Sequence, residues 1–69
     1  MKSDFKLNDV AIMLDYSGEV WNVYEYSKLK DYDDWIMAKQ FLTEEAAKKE
    51  AIEIAKIKGR YVGLLEFSD

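Results

Sequence analysis

Residues 8–28, NDVAIMLDYSGEVWNVYEYSK, alternate in a way that suits two strands folded back on each other. Val10, Ile12, Leu14 and Tyr16 are interleaved with Asp9, Ala11, Met13 and Asp15, the period of two that marks a strand. Ser17-Gly18 offers a two-residue turn with a glycine free to take positive φ, and EVWNVYEYS reads as the return strand. That loop sets Tyr16 opposite Glu19, Leu14 opposite Trp21, Ile12 opposite Val23 and Val10 opposite Glu25. Directly opposed residues share a face of the sheet. One face therefore gathers Val10, Ile12, Leu14, Trp21 and Val23 as a core. The other gathers Asp9, Ala11, Met13, Asp15, Val20, Asn22, Tyr24 and Tyr26. A slip of one residue would scatter the apolar set, so the pattern itself fixes the register.

After the hairpin, KLKDYDD is a polar turn and WIMAKQF (35–41) reads as a third strand, with a helix starting near Asp33 as its competitor. Thr43 is a good N-cap, and Glu44 and Glu45 follow it at the positive end of the helix dipole. EEAAKKEAIEIAKIK is the clearest helix, ended by Gly59. Ala47, Ala51, Ile54, Ala55 and the stem of Lys58 line one side. Glu45, Lys49, Glu53 and Lys56 line the other, with Ile52 out of place among them. Glu44–Lys48 and Glu45–Lys49 are spaced for ion pairs of about 0.2–0.5 kcal/mol each. RYVGLLEF (60–67) closes the chain as a fourth strand. The reading is α+β, one domain over residues 1–69: an antiparallel sheet in the order β-β-β-α-β with one helix on one face, and residues 1–7 as a frayed lead-in.

A 69-residue chain without cysteine or histidine cannot use disulfides, zinc, thiol nucleophiles or imidazole chemistry, so tight packing or a partner subunit must hold it together. No cofactor or metal is expected. Asp31, Asp33 and Asp34 lack the glycine and the distal glutamate of a calcium-binding hand. No spacing defines a pair of carboxylates across a cleft for hydrolysis, which argues against an enzyme. Neither a membrane span nor a signal peptide is evident, which points to a cytoplasm. One helix can cover one sheet face only. The second face, carrying Met13, Val20, Tyr24 and Tyr26, is expected to meet solvent or another chain, through a homodimer or a heteromeric contact. Tyrosine suits such a surface, being apolar along the ring and polar at its tip.

The charge supplies the functional reading. The net is −4, and residues 4–34 hold eight acids against three lysines, whereas residues 35–60 hold four acids against six bases. A chain that binds nucleic acid through phosphates needs a basic patch, and a sheet that enters a DNA groove needs lysine or arginine where Asp9 and Asp15 stand. Direct nucleic-acid binding is therefore disfavoured. Carboxylates spaced along strands and a turn can instead imitate a row of phosphates and be accepted by a basic DNA-binding cleft.

The hairpin DVAIMLDYSGEVWNVYEYSK resembles that of the small acidic phage-encoded inhibitors of uracil-DNA glycosylase, which are dimeric DNA mimics. The shared features are the Asp9-Val10 entry, the Met13-Leu14 pair, a glycine turn, and Tyr24-Glu25-Tyr26 followed by Lys28. After Lys30 the chain departs, with a longer helix and an added strand. More widely it looks like the short acidic proteins that lytic phages express to take over a host. The resemblance implies a DNA mimic, homodimeric and in the host cytoplasm. Its partner would be a host DNA-binding protein with a basic surface, a nucleoid-associated protein of the HU type or uracil-DNA glycosylase. Tyr24, Glu25 and Tyr26 would then be contact residues. Asp9, Asp15, Asp31, Asp33 and Asp34 would stand in for phosphates, with Glu19 beside them at the turn. The alternative is a protein-interaction or subunit-contact module without mimicry.

Overall fold

The structure is a computed structural model that describes residues 5–65. Asp4, Glu66 and Phe67 lie outside that range. The alternating segments form β1 (Asp9–Leu14) and β2 (Trp21–Lys28), antiparallel, with Leu14 opposite Trp21, Ile12 opposite Val23 and Val10 opposite Glu25. The register written in the hydrophobic pattern is the register of the fold. The turn differs from expectation. The Asp15 N–H still donates to the Val20 carbonyl (2.8 Å), and the Gly18 N–H donates to the Asp15 carbonyl (2.8 Å), so the reversal begins a residue earlier than Ser17-Gly18. The Asp15 carboxylate drives this by accepting the Ser17 N–H at 3.1 Å. Gly18 takes φ 78°, and Tyr16 and Glu19 turn outward to solvent instead of facing each other.

Residues 33–41 form a strand and not a helix: β3 (Asp33–Phe41) pairs antiparallel with β2. Trp35 lies opposite Tyr26, Met37 opposite Tyr24 and Phe41 opposite Trp21, so its large side chains continue the rows already set by β2. A bulge at Ala38 interrupts the ladder between the Tyr24·Met37 and Val23·Lys39 pairs.

Thr43 caps α1 (Glu44–Ile57) by accepting the Ala46 N–H at Oγ1, 3.2 Å away. Its C-terminal end closes with the Lys58 N–H on the Ile54 carbonyl (3.0 Å). Gly59 follows at φ 90°, and a Cβ there would lie 1.7 Å from the carbonyl oxygen of Asn8, so only glycine lets the chain pass. The helix returns the chain to the end of the sheet where β1 begins. β4 (Arg60–Leu64) consequently joins β1 in parallel, giving a mixed, largely antiparallel sheet in the order β3-β2-β1-β4.

Ala47 and Ala51 bring the helix close over Val10, Ile12 and Val23, with Trp21, Phe41, Ile54, Ala55 and Tyr61 packed around them. Leu14, read as core, is exposed at the end of its strand, and so is Lys58 at the helix end. The helix charges also pair differently from expectation. Among the described residues Glu44, Glu45, Lys48 and Lys49 make no ion pair, while Glu50 reaches across to Lys39 on β3 and Glu53 holds Lys56.

Candidate functional site

The sheet face opposite the helix is built from the register. Ala11 and Met13 of β1, Asn22, Tyr24 and Tyr26 of β2, and Trp35, Met37 and Gln40 of β3 lie opposite one another in the ladders and so share this side. It is covered in part by the chain's own aromatics. Phe5 comes across to pack edge-on against Trp35 (centroids 4.9 Å apart, planes at 72°), and Tyr26 meets Trp35 at 5.0 Å and 67°. Tyr26 is only 9% exposed as a result. Residues 5–7, expected as a frayed lead-in, begin with a ring that closes over this face.

At the other end of the same face the polar groups form a network. The Asn22 side chain is buried, donates from Nδ2 to Asp15 Oδ1 (2.9 Å) and to Tyr24 Oη (3.1 Å), and accepts from Gln40 Nε2 (2.8 Å). A buried amide with all its needs met costs little and locks three strands in register. The Asn22 bond, with the Ser17 N–H behind it, holds the Asp15 carboxyl below its ordinary range.

Asp9 lies elsewhere than a phosphate stand-in requires. It is 2% exposed, and its carboxylate takes Arg60 Nε at 2.9 Å, Arg60 Nη2 at 3.2 Å and the Lys6 N–H at 2.9 Å. Burial pushes its pKa up, but these donors outweigh burial and set it below the ordinary aspartate value. Its charge is neutralised at home.

The remaining acids fall into two groups. Asp15 and Glu19 belong to the β1–β2 turn. Asp31, Asp33 and Asp34 sit, exposed, at the β2–β3 turn around Tyr32, itself 60% exposed. β2, eight residues long, separates the two turns by about 26 Å. Glu25 is half-buried on the helix side, opposite Ile36. So of the nine residues singled out in the sequence, three acids cluster at one turn, two lie at the far turn, and Asp9 and Tyr26 are withdrawn into the fold. Tyr24 remains half-exposed beside Met37.

Two features carried no sequence signal. The Asp9–Arg60 pair joins residues 51 apart in the chain. The exposed apolar run Ile36-Met37-Ala38 becomes conspicuous only because β3 falls at the edge of the sheet. Among the described residues no group of acids is arranged to hold a metal ion, no pocket opens, and no helix is long and apolar enough to cross a membrane. Comparison with family models, curated proteins and solved structures finds no match to this chain.

Proposed function

We propose that this chain is a small acidic, non-catalytic interaction protein of the cytoplasm, and that it occupies the basic DNA-binding surface of a host protein in place of DNA. The observation that carries the reading is the β2–β3 turn. Asp31, Asp33 and Asp34 surround an exposed Tyr32, and among the described residues none of the three is consumed in an ion pair. Three acids elsewhere in the fold are spent in ion pairs, Asp9 with Arg60, Glu50 with Lys39 and Glu53 with Lys56, whereas among the described residues Glu44 and Glu45 at the start of the helix are not. Carboxylates without an ion pair around an aromatic ring, with Asp34 accepting the Trp35 N–H, supply steering charge and an apolar contact at one spot. Lys48, Lys49 and Lys56 ride exposed on the helix, apart from that turn in the sequence and on a different element.

A second reading, an interaction module without mimicry, is favoured by one specific arrangement. Lys28 and Lys30 flank the same turn, so residues 28–34 carry two bases against three acids, and the other acidic turn is about 26 Å away. A continuous row of phosphates is matched poorly by two separated groups.

One titration discriminates. The purified chain is measured against an HU-type protein and against uracil-DNA glycosylase, with duplex DNA as competitor, across a range of salt. Mimicry predicts binding to one of them that duplex displaces and salt weakens. Replacing Asp31, Asp33 and Asp34 together by asparagine should weaken that binding and flatten its salt dependence while leaving the unfolding midpoint unchanged. Binding indifferent to DNA, or no binding to either protein, removes the mimicry reading.

A further inference from the structure

β3 lies at one edge of the sheet, and among the described residues no strand pairs with its outer side. The direction of its amides can be worked out. The Leu29 N–H donates to the Tyr32 carbonyl (2.7 Å) just beyond the Lys28·Asp33 pair, while the Tyr26 carbonyl turns the other way to accept from Asn8 (2.9 Å). Hydrogen-bonded and non-hydrogen-bonded pairs alternate along an antiparallel ladder. Asp34 and Ile36 therefore spend their backbone groups on β2, and Asp33, Trp35 and Met37 aim theirs outward. The Trp35 N–H agrees, being taken by its neighbour's side chain, Asp34 Oδ1, at 2.8 Å. Past the bulge, Gln40 lies opposite Asn22, whose backbone faces β1, so Gln40 also points outward.

The middle of this edge, residues 35–38, is apolar, between Asp33 and Asp34 on one side and Lys39 on the other. Ile36 is 42% exposed and Met37 48% exposed, with Ala38 exposed beside them. We propose that it pairs antiparallel with the same edge of a second copy of the chain, about a two-fold axis at Ile36. The two sheets of four strands then become one continuous sheet.

The self-pairing register is selected by the side chains. With the axis at Ile36, Trp35 lies opposite the second copy's Met37, and Ile36 lies opposite its own image. Beyond the Ala38 bulge, Asp34 meets the second copy's Lys39 and Asp33 meets its Gln40. Each opposed pair shares a face: Trp35, Met37, Asp33 and Gln40 on the open side, Ile36, Asp34 and Lys39 on the helix side. Outward-pointing amides meet outward-pointing amides throughout. Moving the axis to Met37 would set Ile36 against Lys39 and Asp34 against Phe41. Moving it to Trp35 would set Asp34 against Ile36. Only the Ile36 axis matches apolar with apolar, acid with lysine, and a thioether with an indole ring. Lys39, although held by Glu50, keeps 55% of its side chain exposed and has donors left for a second carboxylate. This inference goes beyond the partner-binding reading and does not depend on it.

Sedimentation equilibrium on the purified full chain tests it, alongside amide exchange. The chain should show a concentration-dependent species of twice its 8.1 kDa, and protection of the Trp35 and Met37 amides should rise with concentration. Met37→Pro removes an N–H that the single chain does not use and should weaken self-association by about tenfold or more with the fold retained. Ile36→Lys places two like charges at the axis and serves if the proline variant does not fold. An 8.1 kDa species at every concentration overturns the proposal. So does a dimer left intact by whichever of these variants folds, or one that forms without protecting Trp35 and Met37.

Discussion

Asp9 shows how the same residue type can serve opposite ends in one small domain. A carboxylate at the start of a strand reads as surface charge, yet Arg60 and the Lys6 amide turn it into a buried tie between β1, β4 and the N-terminal segment. The linkage sign follows from its lowered pKa. A group whose folded pKa lies below its unfolded value stabilises the fold above the unfolded pKa, and the contribution is lost as pH falls through the folded value. Asp9→Asn should therefore be less stable than the parent at pH 7, by about 1–3 kcal/mol from the lost charge-assisted bonds. The gap should narrow below about pH 4, where Asp9 of the unfolded chain begins to protonate, and keep closing as pH falls through the lower folded value. Urea unfolding of both proteins at a series of pH values checks this. A gap that stays constant to the lowest pH would mean that Asp9 contributes by shape and not by charge.

Among the elements, the helix was the most legible and the third strand the least. Thr43, the acids after it and the alanine spacing announce α1 by local chemistry alone, and the structure has that cap and that buried Ala47–Ala51 stripe. Thr43→Ala should cost about 1 kcal/mol, because the Ala46 N–H loses its acceptor; the shift in the thermal midpoint by far-UV circular dichroism measures it. WIMAKQF has no such punctuation: it reads as a strand, but with a helix from near Asp33 as a competitor. Pairing with β2 settled it, since only a strand places Trp35, Met37 and Phe41 in the rows of Tyr26, Tyr24 and Trp21. The helix ion pairs expected from spacing, Glu44–Lys48 and Glu45–Lys49, do not form among the described residues, and one pair that does form reaches across elements. Glu50 faces Lys39, a residue that helical spacing cannot see.

At the scale of the whole molecule, both sheet faces are used. The helix covers one, and Phe5 with Tyr26 and Trp35 forms a smaller apolar cluster on the other. This explains how so short a chain gains core without a second helix. Phe5→Ala should lower stability by about 1–2 kcal/mol, the scale of two aromatic contacts with partial burial, and should raise Trp35 exposure in fluorescence quenching. An unchanged unfolding curve would show that the cluster adds nothing to the fold. The acidic β2–β3 turn lies outside both clusters, so substitutions of Asp31 and Asp33 are expected to act on binding before stability.

The hairpin register, the helix with its cap, and the division of β2 into a core side and a second side were determined by the sequence, because each rests on residues a few positions apart with a fixed period. Strand order, the parallel docking of β4, the burial of Asp9 and Tyr26, and the exposure of the Ile36-Met37 edge were decided by the tertiary structure. Each depends on which segments become neighbours across tens of residues. Composition and spacing are silent on that, because long-range pairing is chosen by the packing of whole elements.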